Sequence, residues 1–193
     1  MRELVYYVAA SIDGFIAGLN GETDAFPIEG DHMPVLLGEF ADAVPSHIAG
    51  PLGIEQTGAV FDTVLMGWNT YQVAASVGIA SPYAHLRQYV LSRSEHEKTD
   101  AVVITDEDPV AVVQRLKTES AGSSIWLCGG GELASALIGE IDRLVMKVNP
   151  VLLGAGIPLF GAQSGSGAPV VTSFGLERSR SFDSGVVVNE YRR

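Results

Sequence analysis

The sequence predicts an α/β protein of three layers, with helices on both faces of a mostly parallel central sheet that closes in a C-terminal antiparallel hairpin. Three observations carry that prediction. Short runs rich in Val, Ile, Leu and Tyr recur along the whole chain, and helix patterns fall between them. Most of the runs lack polar alternation, as strands buried on both faces do. The last stretch instead pairs two runs around a tight turn, "FDSG". Strand and helix in alternation build parallel strands joined by right-handed crossovers.

Each element follows in order. The first strand, Leu4–Ala10, runs to a turn at Asp13-Gly14, and Gly18, Asn20 and Gly21 then form a loop able to flex over a bound ring. "HMPVLLGEFADAV" (32–44) is a helix candidate disturbed by Pro34 and Gly38. Val60–Met66 reads as a strand that passes through a glycine into a helix over Asn69–Val77, and Gln88–Leu91 and Ala101–Thr105 read as two further strands. "DPVAVVQRLKTES" carries the strongest helix signals: Asp108 as N-cap, Pro109 at the first helical position, and Val110, Val113 and Leu116 on one stripe. The strand Ser124–Cys128 meets three glycines and then a helix, "GELASALIGEI", and the strand Arg143–Val148 is stopped by Pro150. "GAQSGSGAP" (Gly161–Pro169) reads as a mobile surface loop before the closing hairpin, whose second strand is Gly185–Tyr191.

Composition bounds the function. The 193 residues fit a single domain, 1–193, and 47% hydrophobic against 18% charged residues is the balance of a globular chain with a generous core. A net charge of −11 weighs against nucleic acid, which needs clustered Lys and Arg. An anionic ligand would have to be held by local features. Cys128 is the only cysteine, which excludes an intramolecular disulfide and a Cys-based metal motif and fits a cytoplasmic protein. The N-terminal apolar run is broken by Asp13, so it reads as a core strand rather than a signal peptide. No run approaches the roughly 20 apolar residues of a membrane span. His32, His47, His85 and His96 lack ligand spacing, so no metal site is expected.

Three turns carry the chemistry. "VLMGWNTYQV" (Val64–Val73) runs from strand through glycine into a helix, whose N-terminus offers free N–H donors and about half a positive charge to a phosphate. "YVLSR" ends a strand on Ser92 and Arg93, and an arginine fork suits a phosphate dianion. "CGGGELA" formally reads G-x-G-x-x-A between a strand and a helix. A Rossmann fingerprint, however, sits on the first βα turn with an acidic residue at the end of the next strand. Here the motif falls late, at Gly129, and the strand beginning near Asp142 has no such acid at its far end, so the ordinary Rossmann reading fails.

In order and spacing, over nearly the whole chain, these pieces resemble the dihydrofolate reductase-like superfamily, in the branch of the C-terminal reductase domain of bifunctional riboflavin biosynthesis deaminase/reductases. "VAASIDGFIAGLNGETD" is similar to the family's opening strand and "SLDGxIA" loop, which implies that Ala9, Ile16 and Ala17 contact a nicotinamide. "MGWNTY" resembles "MGRxTY" and implies pyrophosphate contacts from Gly67, Asn69 and Thr70, with Trp68 standing where the family carries a phosphate-holding arginine. "VLSR" implies that Ser92 and Arg93 face the adenosine 2′-phosphate, with Leu91 beside them at the cofactor, and "GGGEL" resembles "GGxxL", adding Gly129, Gly130, Gly131, Glu132 and Leu133. "DRLVMKVNPVLLGAGIPLF" (Asp142–Phe160) resembles "DELxLxxxPVLLGxGxPLF", the most specific string, and implies architecture more than catalysis. The acid that binds substrate in dihydrofolate reductases has no clear counterpart; Asp13 and Glu39 are the candidates for catalytic carboxylates.

The resemblance thus implies hydride transfer from NADPH, with NADH kept open by Trp68, to a small heterocyclic (pterin- or pyrimidine-like) or carbonyl substrate. The alternative is a non-catalytic dinucleotide- or ligand-binding protein of the same fold. A cytoplasmic homodimer without nucleic-acid or membrane partners is expected.

Overall fold

Strand and helix patterns resolve into one eight-stranded sheet in a computed structural model, which describes residues 1–97, 99–161 and 171–193. The strands of this sheet are β1 (Leu4–Ser11), β3 (Phe61–Gly67), β4 (Arg87–Leu91), β5 (Val103–Thr105), β6 (Ser124–Gly129), β7 (Arg143–Asn149), β9 (Gly175–Ser181) and β10 (Val187–Arg192). Their order is β5-β4-β3-β6-β1-β7-β10-β9. All pairs from β5 to β7 are parallel, and β10 pairs antiparallel with both β7 and β9, so the C-terminal hairpin closes one edge as expected.

The alternation of side chains along the strands divides the core in two. On one face Leu4 and Tyr6 of β1, Leu65, Ile125 and Leu127 pack under α4 (Pro109–Lys117) and α5 (Gly131–Ala136), which contribute Val112, Val113, Leu116 and Ala134. On the other face Val5, Val64, Met66, Val90, Trp126 and Val145 pack under α1 (His32–Glu39) and α3 (Trp68–Ala75), which contribute Leu36 and Tyr71, with Phe40 at the C-cap of α1 beside them. Burial on both faces is why these strands read as continuous apolar runs.

Local signals account for the helix ends. Asp108 accepts a hydrogen bond from Ala111 N–H at 3.0 Å, and Pro109 takes the first position of α4. Pro34 does not break α1, because it is the third helical residue, where the N–H has no intrahelical partner to lose. A short helix, α2 (Ser46–Ala49), and a separate antiparallel pair, β2 (Phe15–Ala17) with β8 (Ile157–Pro158), complete the elements. They hold too few residues to produce a periodic pattern. The expected loop Gly161–Pro169 lies, beyond Gly161, outside the described residues. No helix among the described residues is long and apolar enough to cross a membrane.

Candidate functional site

The carboxyl ends of the parallel strands open into one groove of about 2350 Å³. That is more than twice the roughly 300–1,000 Å³ of a typical small-ligand pocket, so it has room for a dinucleotide with a second small molecule beside it. Such a position, beyond the carboxyl ends of the strands, is where open α/β sheets bind ligands. Every residue carried over to the cofactor lines it: Ala9, Ile16 and Ala17 from β1 and β2, Gly67–Thr70 from the start of α3, Leu91–Arg93 from the end of β4, and Gly129–Leu133 from β6 and α5.

The turns that form this groove depend on glycine for separate reasons. At Gly131 an added Cβ would lie 2.1 Å from the Pro158 carbonyl oxygen, so this glycine lets α5 pack against β8. Gly156 plays the same part, since its Cβ would lie 2.2 Å from the Ala17 oxygen. "GAGIPLF" is therefore a wedge that fits between β2 and α5, held by Leu159 N–H donating to Gly14 O and Gly161 N–H donating to Gly131 O. Gly129, by contrast, has φ +136°, a conformation suited to glycine, and an added Cβ there would meet open space. The Gly129–Gly130 peptide is cis, and Gly67 lies against it across the β3–β6 pair. The N-caps of α3 and α5 are Gly67 and Gly130, which have no side chain to cap the first-turn N–H groups. In α3 those donors stand beside Asn69 and Thr70 at the groove. Uncapped donors and close backbone approach fit a dinucleotide pyrophosphate.

Trp68 changes the neighbouring corner. Its indole stacks on the His96 ring with centroids 3.3 Å apart and planes at 11°, and His96 Nε2 lies 2.7 Å from Ser92 Oγ. Where the sequence resemblance implies a cation, this chain thus has an aromatic clamp between α3 and the loop after β4. Among the described residues Arg93 is the cation at this corner; it contacts Glu132 at 3.4 Å, with the two side chains 95% and 87% exposed. A pair so open to solvent holds weakly, so Arg93 remains available to a phosphate.

The two carboxylates expected near the chemistry do not line the groove. Asp13 accepts from the Ser11 hydroxyl at 2.6 Å and from Leu153 and Gly154 N–H at 3.2 and 2.7 Å, and these bonds, Ser11 first, hold its carboxyl below the usual range. It braces the loop after β7. Partial burial pushes Glu39 up, but the guanidinium groups of Arg180 and Arg178 on β9 outweigh it and hold the carboxyl low. It ties α1 to the hairpin. Asp42 is likewise structural, accepting from Gly58, Val60 and Phe61 N–H. Burial pushes the Cys128 thiol up to about 12, which makes it inert as a nucleophile near neutrality.

Charged groups reach the groove that the sequence reading left out of the site: Asp106, Glu107 and Asp108 before α4, and Lys147. Lys147 of β7 lines it together with Gly156–Pro158, so the segment expected to be only architectural supplies part of the wall. The signal was present: a lysine inside the apolar strand "RLVMKVN". Among the described residues no group of three or more His, Cys, Asp or Glu could hold a metal ion.

Known proteins share this architecture. A model of the RibD C-terminal domain matches residues 2–188. Uncharacterized protein YwjB of Bacillus subtilis strain 168 is 34% identical over 165 residues, covering 82% of this chain and 83% of its own, and uncharacterized YyaP of the same organism is 26% identical over 196 residues, covering 96% and 92%. Among solved structures, a Shewanella sp. PV-4 protein provisionally assigned to riboflavin biosynthesis superposes with a TM-score of 0.69 at 25% identity, over 100% of this chain and 99% of that one. A Thermotoga maritima diaminohydroxyphosphoribosylaminopyrimidine deaminase/5-amino-6-(5-phosphoribosylamino)uracil reductase gives 0.65 at 17% identity, over 99% and 56%, a likeness of fold. The pieces recognised in the sequence, the sheet that joins them and the match across residues 2–188 agree: the chain belongs to the RibD C-terminal domain family, with its reductase-type fold.

Proposed function

We propose that this protein is a reductase that passes hydride from NADPH to a small heterocyclic or carbonyl acceptor. One observation carries the reading: Gly67–Thr70, Leu91–Arg93 and Gly129–Leu133 open on the same groove as the apolar trio Ala9, Ile16 and Ala17. In this reading the N–H groups at the start of α3, with Thr70, take the pyrophosphate. Arg93 exchanges Glu132 for the 2′-phosphate. Ala9, Ile16 and Ala17 exclude water from the face of the nicotinamide ring, and the loop at Gly18–Gly21 covers its mouth. The reduced nicotinamide supplies the hydride, so the protein's task is alignment and exclusion of water. Trp68, uncharged in the arginine slot, keeps NADH as a second cofactor.

The experiment is oxidation of NADPH and NADH, followed at 340 nm, against pterins, pyrimidines, flavin precursors and quinones. Turnover with any of them supports the reductase. Tight dinucleotide binding with no turnover across the panel supports the second reading, a binding protein of the same fold. That reading is favoured by one fact: neither Asp13 nor Glu39 lines the groove.

A further inference from the structure

Among the described residues Lys147 is the one ammonium on the groove, and it has no counter-ion there. Of the chain's three lysines, Lys117 is paired with Asp142 at 2.7 Å and Glu140 at 3.5 Å, whereas no carboxylate among the described residues lies within ion-pair distance of Lys147. Its only hydrogen-bond acceptor among them is the Pro27 carbonyl oxygen, at 3.4 Å. An ammonium carries three donors, so two remain for the groove. Burial holds this ammonium below the usual lysine range, with nothing acidic to offset it. Two ionisable groups flank it: His32 of α1, whose own proton affinity is lowered first by burial and then by the charge of Lys147, and Tyr7 of β1, two residues before its register partner Ala9, whose phenol is pushed up by burial and then by the charge of Glu39. Neither carries negative charge near neutrality.

Its surroundings are flat and apolar. Lys147 pairs in register with Ala9, so both side chains leave the sheet on the same face, about 4.8 Å apart. Tyr7, on that face, stacks on Phe40 with centroids 4.3 Å apart and planes at 21°, and Phe26, Met33 and Leu36 complete the wall. A desolvated cation without a partner is costly, and an anionic ligand that enters beside it removes the cost. Aromatic walls favour a ring that can stack.

We infer that this half of the groove is a subsite for a planar, conjugated anion, and that Lys147 selects its charge. The inference deepens the reductase reading, on which it rests for the neighbouring dinucleotide, by naming the acceptor's class: a flat ring bearing a carboxylate or an ionised ring oxygen, next to where the nicotinamide would lie.

The test uses 2-naphthoate and its neutral isostere 2-naphthamide, titrated calorimetrically into the whole protein near pH 7. The wild type is expected to bind the carboxylate at least tenfold more tightly than the amide. Lys147→Met should bring the two affinities together, and Lys147→Arg should keep the preference. Absence of naphthoate binding, equal affinities in the wild type, or a preference that survives in a folded Lys147→Met protein overturns the inference. The wild-type comparison decides the matter even if the methionine variant does not fold. A parallel NADPH titration separates the two readings: dinucleotide binding without anion preference overturns the subsite alone, and anion preference without dinucleotide binding overturns the reductase reading alone.

Discussion

The two ends of the parallel sheet treat charge in opposite ways. At the amino ends of the strands every buried cation is matched. Arg2, whose side chain is 3% exposed, donates to Asp62, Glu119, Thr63 and the Ser123 carbonyl, while Arg87 adds a second bond to Glu119 at 2.6 Å and Lys117 bridges Glu140 and Asp142. At the carboxyl ends β3 and β6 finish in glycine, α3 and α5 start without a side-chain cap, and Lys147 has no ion-pair partner among the described residues. Residues 2, 62, 87 and 119 thus close a structure, whereas the helix starts at Gly67 and Gly130 leave donors without a side-chain cap, and Lys147 is a cation without a carboxylate partner among the described residues. Unmatched groups at one end, beside matched ones at the other, favour the carboxyl end as the proposed ligand site.

This contrast can be broken most forcefully at the closed end. Arg2→Ala leaves Asp62 and Glu119 without a buried partner and is expected to destabilise by about 3–5 kcal/mol, a fall in Tm of roughly 10 °C at this chain length. The dinucleotide affinity of the folded protein should not change. Gly131→Ala probes the wedge between the two ends. Its Cβ would meet the Pro158 carbonyl oxygen, so the backbone must shift, and denaturant titration is expected to show a loss of about 1–3 kcal/mol. At the open end Arg93→Ala should leave Tm unchanged and weaken NADPH about tenfold more than NADH, which corresponds to about 1.4 kcal/mol; equal loss for both would remove Arg93 from the 2′-phosphate.

The smallest effect is on acid stability. The Arg87 hydrogen bond, ahead of the charge of Arg2, holds the Glu119 carboxyl at about 2 against an ordinary 4.5. A carboxyl depressed in the folded state contributes stability that is complete above its unfolded value and lost as pH falls toward its folded value. The wild type and Glu119→Gln should therefore differ in denaturant midpoint above pH 4.5 and converge near pH 2. A difference that persists at low pH would place the contribution of Glu119 outside its ion pairs.

Most of the fold is legible in the sequence because the strands are buried on both faces and the turns between them carry glycine or a cap, as at Asp108-Pro109. The elements that escape, β2, β8 and α2, are two to four residues long and are held by tertiary contacts such as Gly156 against Ala17. The glycine turns of the site are legible for the same reason as the fold: each is local. The acids are not. Asp13, besides its local bond from Ser11, and Glu39 find partners, Gly154 and Arg180, 141 positions away, and no local pattern foretells such a bond. Lys147 stands between these cases. Its position in a strand is plain, but its meaning depends on which layer covers that face: α1 and the loop before it supply that layer, and the Pro27 carbonyl oxygen is the acceptor they offer.

The open end is tested most directly by titrating the protein with NADPH and NADH while following tryptophan emission. Trp68 and Trp126 are the only tryptophans and both line the groove, so the whole signal reports on it. Saturable quenching by NADPH, with transfer of excitation to the reduced nicotinamide, is the expected result. Unchanged emission with both dinucleotides, together with no heat of binding, would contradict the assignment of the groove to a dinucleotide.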